Sequence, residues 1–317
     1  MSVELVEVVR SGFREGMHRG SVVVLGPDGA PELTLGDVTR PMFPRSSNKP
    51  MQAVAMLRNG FAPHDTEQLA LSSASHSGEA VHVATALRIL ADAGLAEDDL
   101  RCPPDLPGDE ATRACVLAAS GTPRRVFMNC SGKHAAMLST CARNSWPLLD
   151  YLSPEHPLQR SAADTVAELA GQRVAALGVD GCGAPIFALT LVGLATAFSR
   201  LVTSAEGTAE RRVADAVRAH PFLVSGSGRE DLQLMRAVPG LLCKAGAEGV
   251  HAGALPDGRA FALKIDDGAD RARGPVTVGV LRRLGVVEGQ GLAALAAEPL
   301  LGGGVPVGSV RLLPGVL

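Results

Sequence analysis

A chain of 317 residues with 46% hydrophobic content is long enough for one large domain or two of ordinary size, and an aromatic share of 3% leaves its core to Ala, Val and Leu. A net charge of −3, with arginines spread along the chain, argues against nucleic acid and anionic membrane as partners. No run of about 18 uninterrupted apolar residues occurs, and Glu4 and Glu7 stand where a secretory signal would be apolar, so a cytoplasmic protein with its six cysteines as thiols is expected.

Residues 3–10 alternate weakly, and 20–25 and 32–35, joined by Gly26-Pro27-Asp28-Gly29, read as a hairpin. From Lys49 the texture turns helical: apolar spacing with Gly and Pro punctuation predicts helices over 51–59, 79–93, 109–119, 132–143, 158–170, 185–201 and 208–219. Strand signals return at 241–244, 249–255 and 259–265, the last two joined by the turn Pro256-Asp257-Gly258, and a helix over 275–284 follows. Gly302-Gly303-Gly304 reads as a loop, since no helix pattern follows it. The pattern predicts an α+β fold in one catalytic unit: an antiparallel sheet built from both chain ends (1–45 and 238–317), with packed helices and an inserted helical lobe over 46–237.

Among 30 basic residues only Lys49, Lys133, Lys244 and Lys264 are lysine. Arginine serves as well for surface charge, but it cannot give up its proton to act as a base or a metal ligand. Each lysine sits in a motif. Ser46-x-x-Lys49 puts a hydroxyl and an amine on one face of a helical turn, where a neutral amine can take the proton of an attacking serine, although Pro50 disfavours helical geometry at Lys49. Lys244-Ala245-Gly246 lies on a predicted strand, and Lys264-Ile265-Asp266-Asp267-Gly268 reads as a strand end whose carboxylates pair with Lys264 or Arg271. A serine partner for Lys244 is sought in Ser72-Ser73-Ala74-Ser75-His76-Ser77-Gly78-Glu79; Ser77 also fits the cap of a helix starting beside it, so Ser75 is preferred and Ser77 stays open. Cys130-x-x-Lys133 and Asp180-Gly181-Cys182-Gly183 hold two isolated cysteines, which by default read as small buried hydrophobes. Both sit in tight turns beside helix starts with Asn129, Ser131, Lys133, His134 and Asp180 as polar neighbours, and with a nitrogen and a water they would suit Zn²⁺, His134 being the ordinary nitrogen ligand and Lys133 one only when neutral. Cys102, Cys115, Cys141 and Cys243 read as packing.

The order S-x-x-K, helical insertion, K-x-G on a strand, closing helix is the plan of serine β-lactamases, penicillin-binding proteins and bacterial serine glutaminases, with Ala245 replacing the usual hydroxyl. Taken with Arg45-Ser46-Ser47-Asn48-Lys49-Pro50, Asn129-Cys130-Ser131-Gly132-Lys133-His134 and Asp180-Gly181-Cys182-Gly183-Ala184-Pro185, the chain resembles the class 3, Rhizobial-type L-asparaginases from its first hairpin to its C-terminal helix. The resemblance implies hydrolysis of the side-chain amide of L-asparagine by two Ser-Lys pairs, Ser46 with Lys49 and Ser75 with Lys244, the latter taken over Lys264. It also implies a zinc ion on Cys130, Lys133 and Cys182, substrate contacts from Arg45, His76, Ser77, Asp180 and His134, and a homodimer. A glutaminase or β-lactam-reactive enzyme on the same scaffold is the near alternative; a non-catalytic, zinc-stabilised amide-binding module is the distant one.

Overall fold

The computed structural model describes residues 1–286 and 289–317. The chain folds into two compact units, one of residues 1–47, 189–203 and 233–317, the other of 48–188 and 204–232. In chain order, β1 (Val3–Arg10), β2 (Phe13–Leu25) and β3 (Pro31–Leu35) open the first unit. The second unit follows with α1 (Lys49–Arg58), α2 (Thr66–Ser72), α3 (Ala80–Asp92), α4 (Glu110–Ala118), α5 (Ser131–Arg143), α6 (Pro157–Ala170) and the hairpin β4 (Leu177–Val179) and β5 (Pro185–Phe187). The chain then runs through α7 (Leu191–Thr203) of the first unit, α8 (Ala209–Ala219) and α9 (Pro221–Val224) of the second, and α10 (Glu230–Ala237), which ends in the first. The remainder belongs to the first unit: β6 (Leu242–Gly246), β7 (Val250–Ala254), β8 (Ala260–Ile265), α11 (Arg273–Arg283), α12 (Gln290–Ala293), β9 (Ala297–Gly302) and β10 (Val305–Leu312).

The first unit is an antiparallel sheet in the order β6-β7-β8-β2-β1-β10-β9, with β3 also on β2. Its two chain ends meet directly, Val8 opposite Val310. The length of β2 lets it serve three partners: Gly20 to Leu25 pair with β8, while the opposite edge pairs first with β1 and then with β3. Leu5, Val6 and Val22 to Leu25 are buried, and α7 packs on β2, β7 and β8 while α11 packs on β1, β8 and β10, so one apolar sheet face after another is covered by helix. In the second unit α5 is buried along most of its length, packed by α1, α2 and α3, with α6 and α8 against α1. Its buried hydrophobic side chains are aliphatic or sulfur-bearing, apart from Phe61, Tyr151 and Phe187.

Three expectations need correction. Residues 185–201 are a short strand, a connection and then α7, because a fully buried strand is as continuously apolar as a buried helix. The hairpin β4–β5 therefore interrupts the otherwise helical middle of the chain. Gly302-Gly303-Gly304 connects β9 to β10, two strands the sequence reading lacks, and α2, α9 and α10 were likewise outside it. Finally, α3 starts at Ala80 with Glu79 in the cap position, so Ser77 caps no helix.

Candidate active site

In the second unit the site is built around Lys49, the first residue of α1. Pro50 follows without penalty, since the first turn of a helix has no use for that amide hydrogen. The lysine is 1% exposed, and Nζ lies 2.7 Å from Ala74 O, 2.8 Å from Ser75 Oγ and 2.9 Å from Cys130 Sγ. Ser75 is carried just past the end of α2 and fixed by main-chain bonds on both sides, Ser75 N to Val224 O and His76 N to Asn129 O. Ser77 donates instead to Glu79 Oε2 at 2.5 Å, and Glu79 also accepts from Ser227 N and Oγ, so this carboxylate ties the 225–228 loop to the Ser77 segment. Of the two serines left open by the sequence, Ser75 is the one at a lysine.

His76 has both ring nitrogens engaged: Nδ1 accepts from Gly78 N, which makes Nε2 the donor to Ser131 Oγ at 2.9 Å. Burial holds its pKa well below the usual histidine value, and the charges of His82, Lys49 and Arg229 add to this. Neutral and doubly bonded, it orders the start of α5 and has no nitrogen left for a substrate contact.

Cys130 occupies the N-cap position of α5 and Lys133 its first turn, while Cys182 stands at the tip of the β4–β5 hairpin. All three are buried, and Lys133 Nζ lies 3.5 Å from Cys182 Sγ. The Cys182 thiol is acidified, first by a hydrogen bond from Cys130 and then by Lys133 and His134; the Cys130 thiol is correspondingly raised by that same bond and by burial. The pair therefore carries its negative charge on Cys182. Burial works against the Lys133 ammonium, but Cys182, Cys130 and Asp180 outweigh it and hold the pKa above the ordinary lysine value. Asn129 Oδ1 adjoins Cys130 Sγ at 2.8 Å. His134 is turned to the chain's single tyrosine, with Nδ1 2.6 Å from Tyr151 Oη, which also accepts from Arg101 N. Asp180 is half-buried and accepts Gly181 N at 2.9 Å, shaping the turn that presents Cys182.

The donor set fits the zinc ion that the resemblance implies. Bonds of about 2.3 Å to sulfur and 2.0–2.1 Å to nitrogen at a tetrahedral angle put the two ligand atoms about 3.5 Å apart, the separation found between Cys182 Sγ and Lys133 Nζ.

In the first unit, Arg45 opens a 3-10 turn through Asn48 with a φ of 53°, a left-handed backbone unusual for a residue with a side chain. Ser47 Oγ donates to Pro44 O at 2.6 Å, whereas the half-buried Ser46 hydroxyl has no hydrogen-bond partner among the described residues. Lys244 is buried in β6, with Nζ 3.2 Å from Ala245 O. Two residues on, a Cβ at Gly246 would lie 2.3 Å from Pro44 O, so only glycine lets this strand end press against the turn that carries Ser46. Lys264 is not paired as expected: its Nζ is held by two main-chain carbonyls, Glu248 O at 2.6 Å and Ile265 O at 2.5 Å. Asp267 instead bonds His18.

Sequence reasoning gave no role to Glu79 or Tyr151. The tyrosine carried a signal, as the one phenol in an aromatic-poor chain; the glutamate did not stand out from ordinary polar residues. Among the described residues no helix is long and apolar enough to cross a membrane.

Two solved structures resemble the chain at a distance. A β-lactamase from Mycobacterium bovis is 17% identical, with a TM-score of 0.47 over 83% of this chain and 94% of that one. Mglu in its tris and glutamate form is also 17% identical, with a TM-score of 0.45 over 92% of this chain and 66% of that one. At that distance neither carries an inference about activity. No curated protein matches the chain. The model of the L-asparaginase II family, by contrast, matches residues 6–312, nearly the whole chain with every residue of the site described above, and the protein belongs to that family of asparagine amide hydrolases.

Proposed function

We propose that the protein hydrolyses the side-chain amide of L-asparagine to L-aspartate and ammonia through an acyl-enzyme on Ser46. The observation that carries this reading is the buried Lys49 amine, at the start of the helix that follows the Ser46 turn, with its Nζ 2.8 Å from the Ser75 hydroxyl. As the neutral amine, Lys49 takes the Ser46 proton while Oγ attacks the amide carbon, and main-chain N–H groups stabilise the oxyanion. Ser75 then passes a proton to the departing ammonia and takes one from the Lys244 ammonium, its partner in the proposed second pair. Water enters where ammonia left, loses a proton to the same groups and releases aspartate. Arg45 is the proposed clamp for the substrate carboxylate, since a guanidinium binds a carboxylate through two parallel hydrogen bonds.

The same reading assigns a zinc ion to Cys130, Cys182 and Lys133, whose ammonium would give up its proton as the metal binds. When bound, it supplies a fixed positive charge that orients the substrate. The cysteines and Lys133 hold that position, and His134 and Asp180 fix the ligands from behind. Six free cysteines suit the reducing cytoplasm, and the resemblance adds a homodimer.

Ammonia release from asparagine and from glutamine, beside a chromogenic β-lactam, tests the reading. Turnover of asparagine with little of the other two supports it; β-lactam hydrolysis or preferred turnover of glutamine moves the protein to a different substrate. Binding without any turnover would make it a sensor.

A further inference from the structure

Lys264 has no part in the chemistry just described, yet it is the one lysine of four whose retention remains unexplained. We propose that it is a positioning residue: it locks the turn between β6 and β7 so that Glu248 can aim Arg45 at the substrate. The inference rests on the reading of Arg45 as the carboxylate clamp.

Lys264 stands on a central strand, opposite Ser21 of β2 and Val250 of β7. From there its Nζ reaches Glu248 O and Ile265 O, one carbonyl in the turn and one at its own strand end. The turn needs such a hold. Glu248 and Gly249 adopt φ of 62° and 68°, two successive left-handed residues of which the first bears a side chain and costs roughly 1 kcal/mol or more. Ile265 N adds a bond to Gly249 O at 2.9 Å, and Arg273 Nη1 secures the other end at Gly246 O, 3.1 Å away.

Holding the main chain of Glu248 fixes where its carboxylate goes. A Cβ at Gly268 would meet Glu248 Oε2 at 2.7 Å, so the glycine of the Lys264-Ile265-Asp266-Asp267-Gly268 motif leaves the space that the carboxylate fills. The other oxygen lies 3.8 Å from Arg45 Nη1. That ion pair is long and its glutamate mostly exposed, so it contributes little to stability. Its effect is directional, on a guanidinium whose own backbone is already held in an unusual conformation. Arginine is a poor replacement for Lys264 here, because the two carbonyls converge on one nitrogen at lysine's reach, and a longer, planar guanidinium can donate only within its own plane.

Lys264→Met, Lys264→Arg and Glu248→Gln test this by steady-state kinetics on asparagine, with Ser46 labelling by a fluorophosphonate as a second reading. KM is expected to rise about tenfold in all three while kcat stays within about threefold and labelling proceeds at the wild-type rate, the split expected for lost substrate binding. The double variant Lys264→Met/Glu248→Gln is expected to be no worse than either single one, because both act through the same turn. An unchanged KM, or a fall confined to kcat, overturns the proposal. Glu248→Gln alone decides the matter if neither Lys264 variant folds. Hydrogen exchange at amides 45–48 needs no substrate: faster exchange in the variants supports the coupling, and wild-type protection contradicts it. A wild-type protein that releases no ammonia would remove the amidohydrolase reading while leaving this exchange result to judge the coupling.

Discussion

At the scale of single residues, lysine marks the positions where a basic nitrogen must do more than carry charge. Lys49, Lys133 and Lys244 are each at most 2% exposed, and an arginine in any of these places could act as neither base nor metal ligand, because a guanidinium keeps its proton. Lys49→Arg is accordingly expected to fold, as read by circular dichroism, and to lose about 10²–10⁴-fold in ammonia release, the usual worth of a general base. Near-normal turnover would remove Lys49 from the chemistry. The thiols give a second prediction. Cys182→Ser removes the atom on which the pair's negative charge sits, so metal content by mass spectrometry should fall from about one zinc per chain to a trace, thiolate being the stronger zinc ligand. Stoichiometric zinc in that variant would contradict the proposed ligand set. The sequence displayed these residue types and their spacings, but not their companions. Lys49 meets Ser75 and Cys130 across separations of 26 and 81 residues, and no local pattern encodes such meetings.

At the scale of elements, what was legible followed from periodicity and punctuation. Pro157 and Gly171 bracket α6, and alternation with a Pro-Asp-Gly turn gave the β7–β8 hairpin. What was hidden lay where the same signals are ambiguous. Ala184 to Leu194 reads as one apolar stretch, with Pro185 looking like the first residue of a helix, so the hairpin carrying Cys182 was absorbed into α7. Pro299 and Pro306 masked β9 and β10, because proline argues against a strand unless it lies at an edge or an irregularity. The close approach of β6 to the Ser46 turn was signalled only by Gly246 in the K-x-G motif. Gly246→Ala must push that strand or the Pro44 carbonyl aside, at an expected cost of about 1–3 kcal/mol, as for other overpacked sites. A urea unfolding curve checks it, and a midpoint equal to that of the wild type would mean that the contact yields freely.

At the scale of the whole molecule, both chain ends were expected in one sheet, and they lie side by side there because β10 returns to pair with β1. The pH response also belongs to this scale. His76 and His82 are both held below the usual histidine pKa by burial, against which Glu79 and Asp109 only partly restore His82. The unfolded chain therefore binds more protons than the folded one once the pH falls below about 6.5, the ordinary histidine value, so their contribution to stability is complete above that pH and is lost on acidification, by up to about 1.4 kcal/mol per pH unit for each group. Thermal unfolding from pH 8 to pH 5 should show the midpoint falling below pH 6.5, with a shallower fall in His82→Gln. A flat profile would contradict the burial assigned to these rings.

The most direct test of the central claim is mass spectrometry of the protein quenched during turnover of L-asparagine, paired with ammonia release on the same sample. The account predicts a β-aspartyl adduct on the peptide containing Ser46, and neither adduct nor ammonia from Ser46→Ala. Ammonia released at the wild-type rate by Ser46→Ala, or an adduct on Ser75 in place of Ser46, would contradict it.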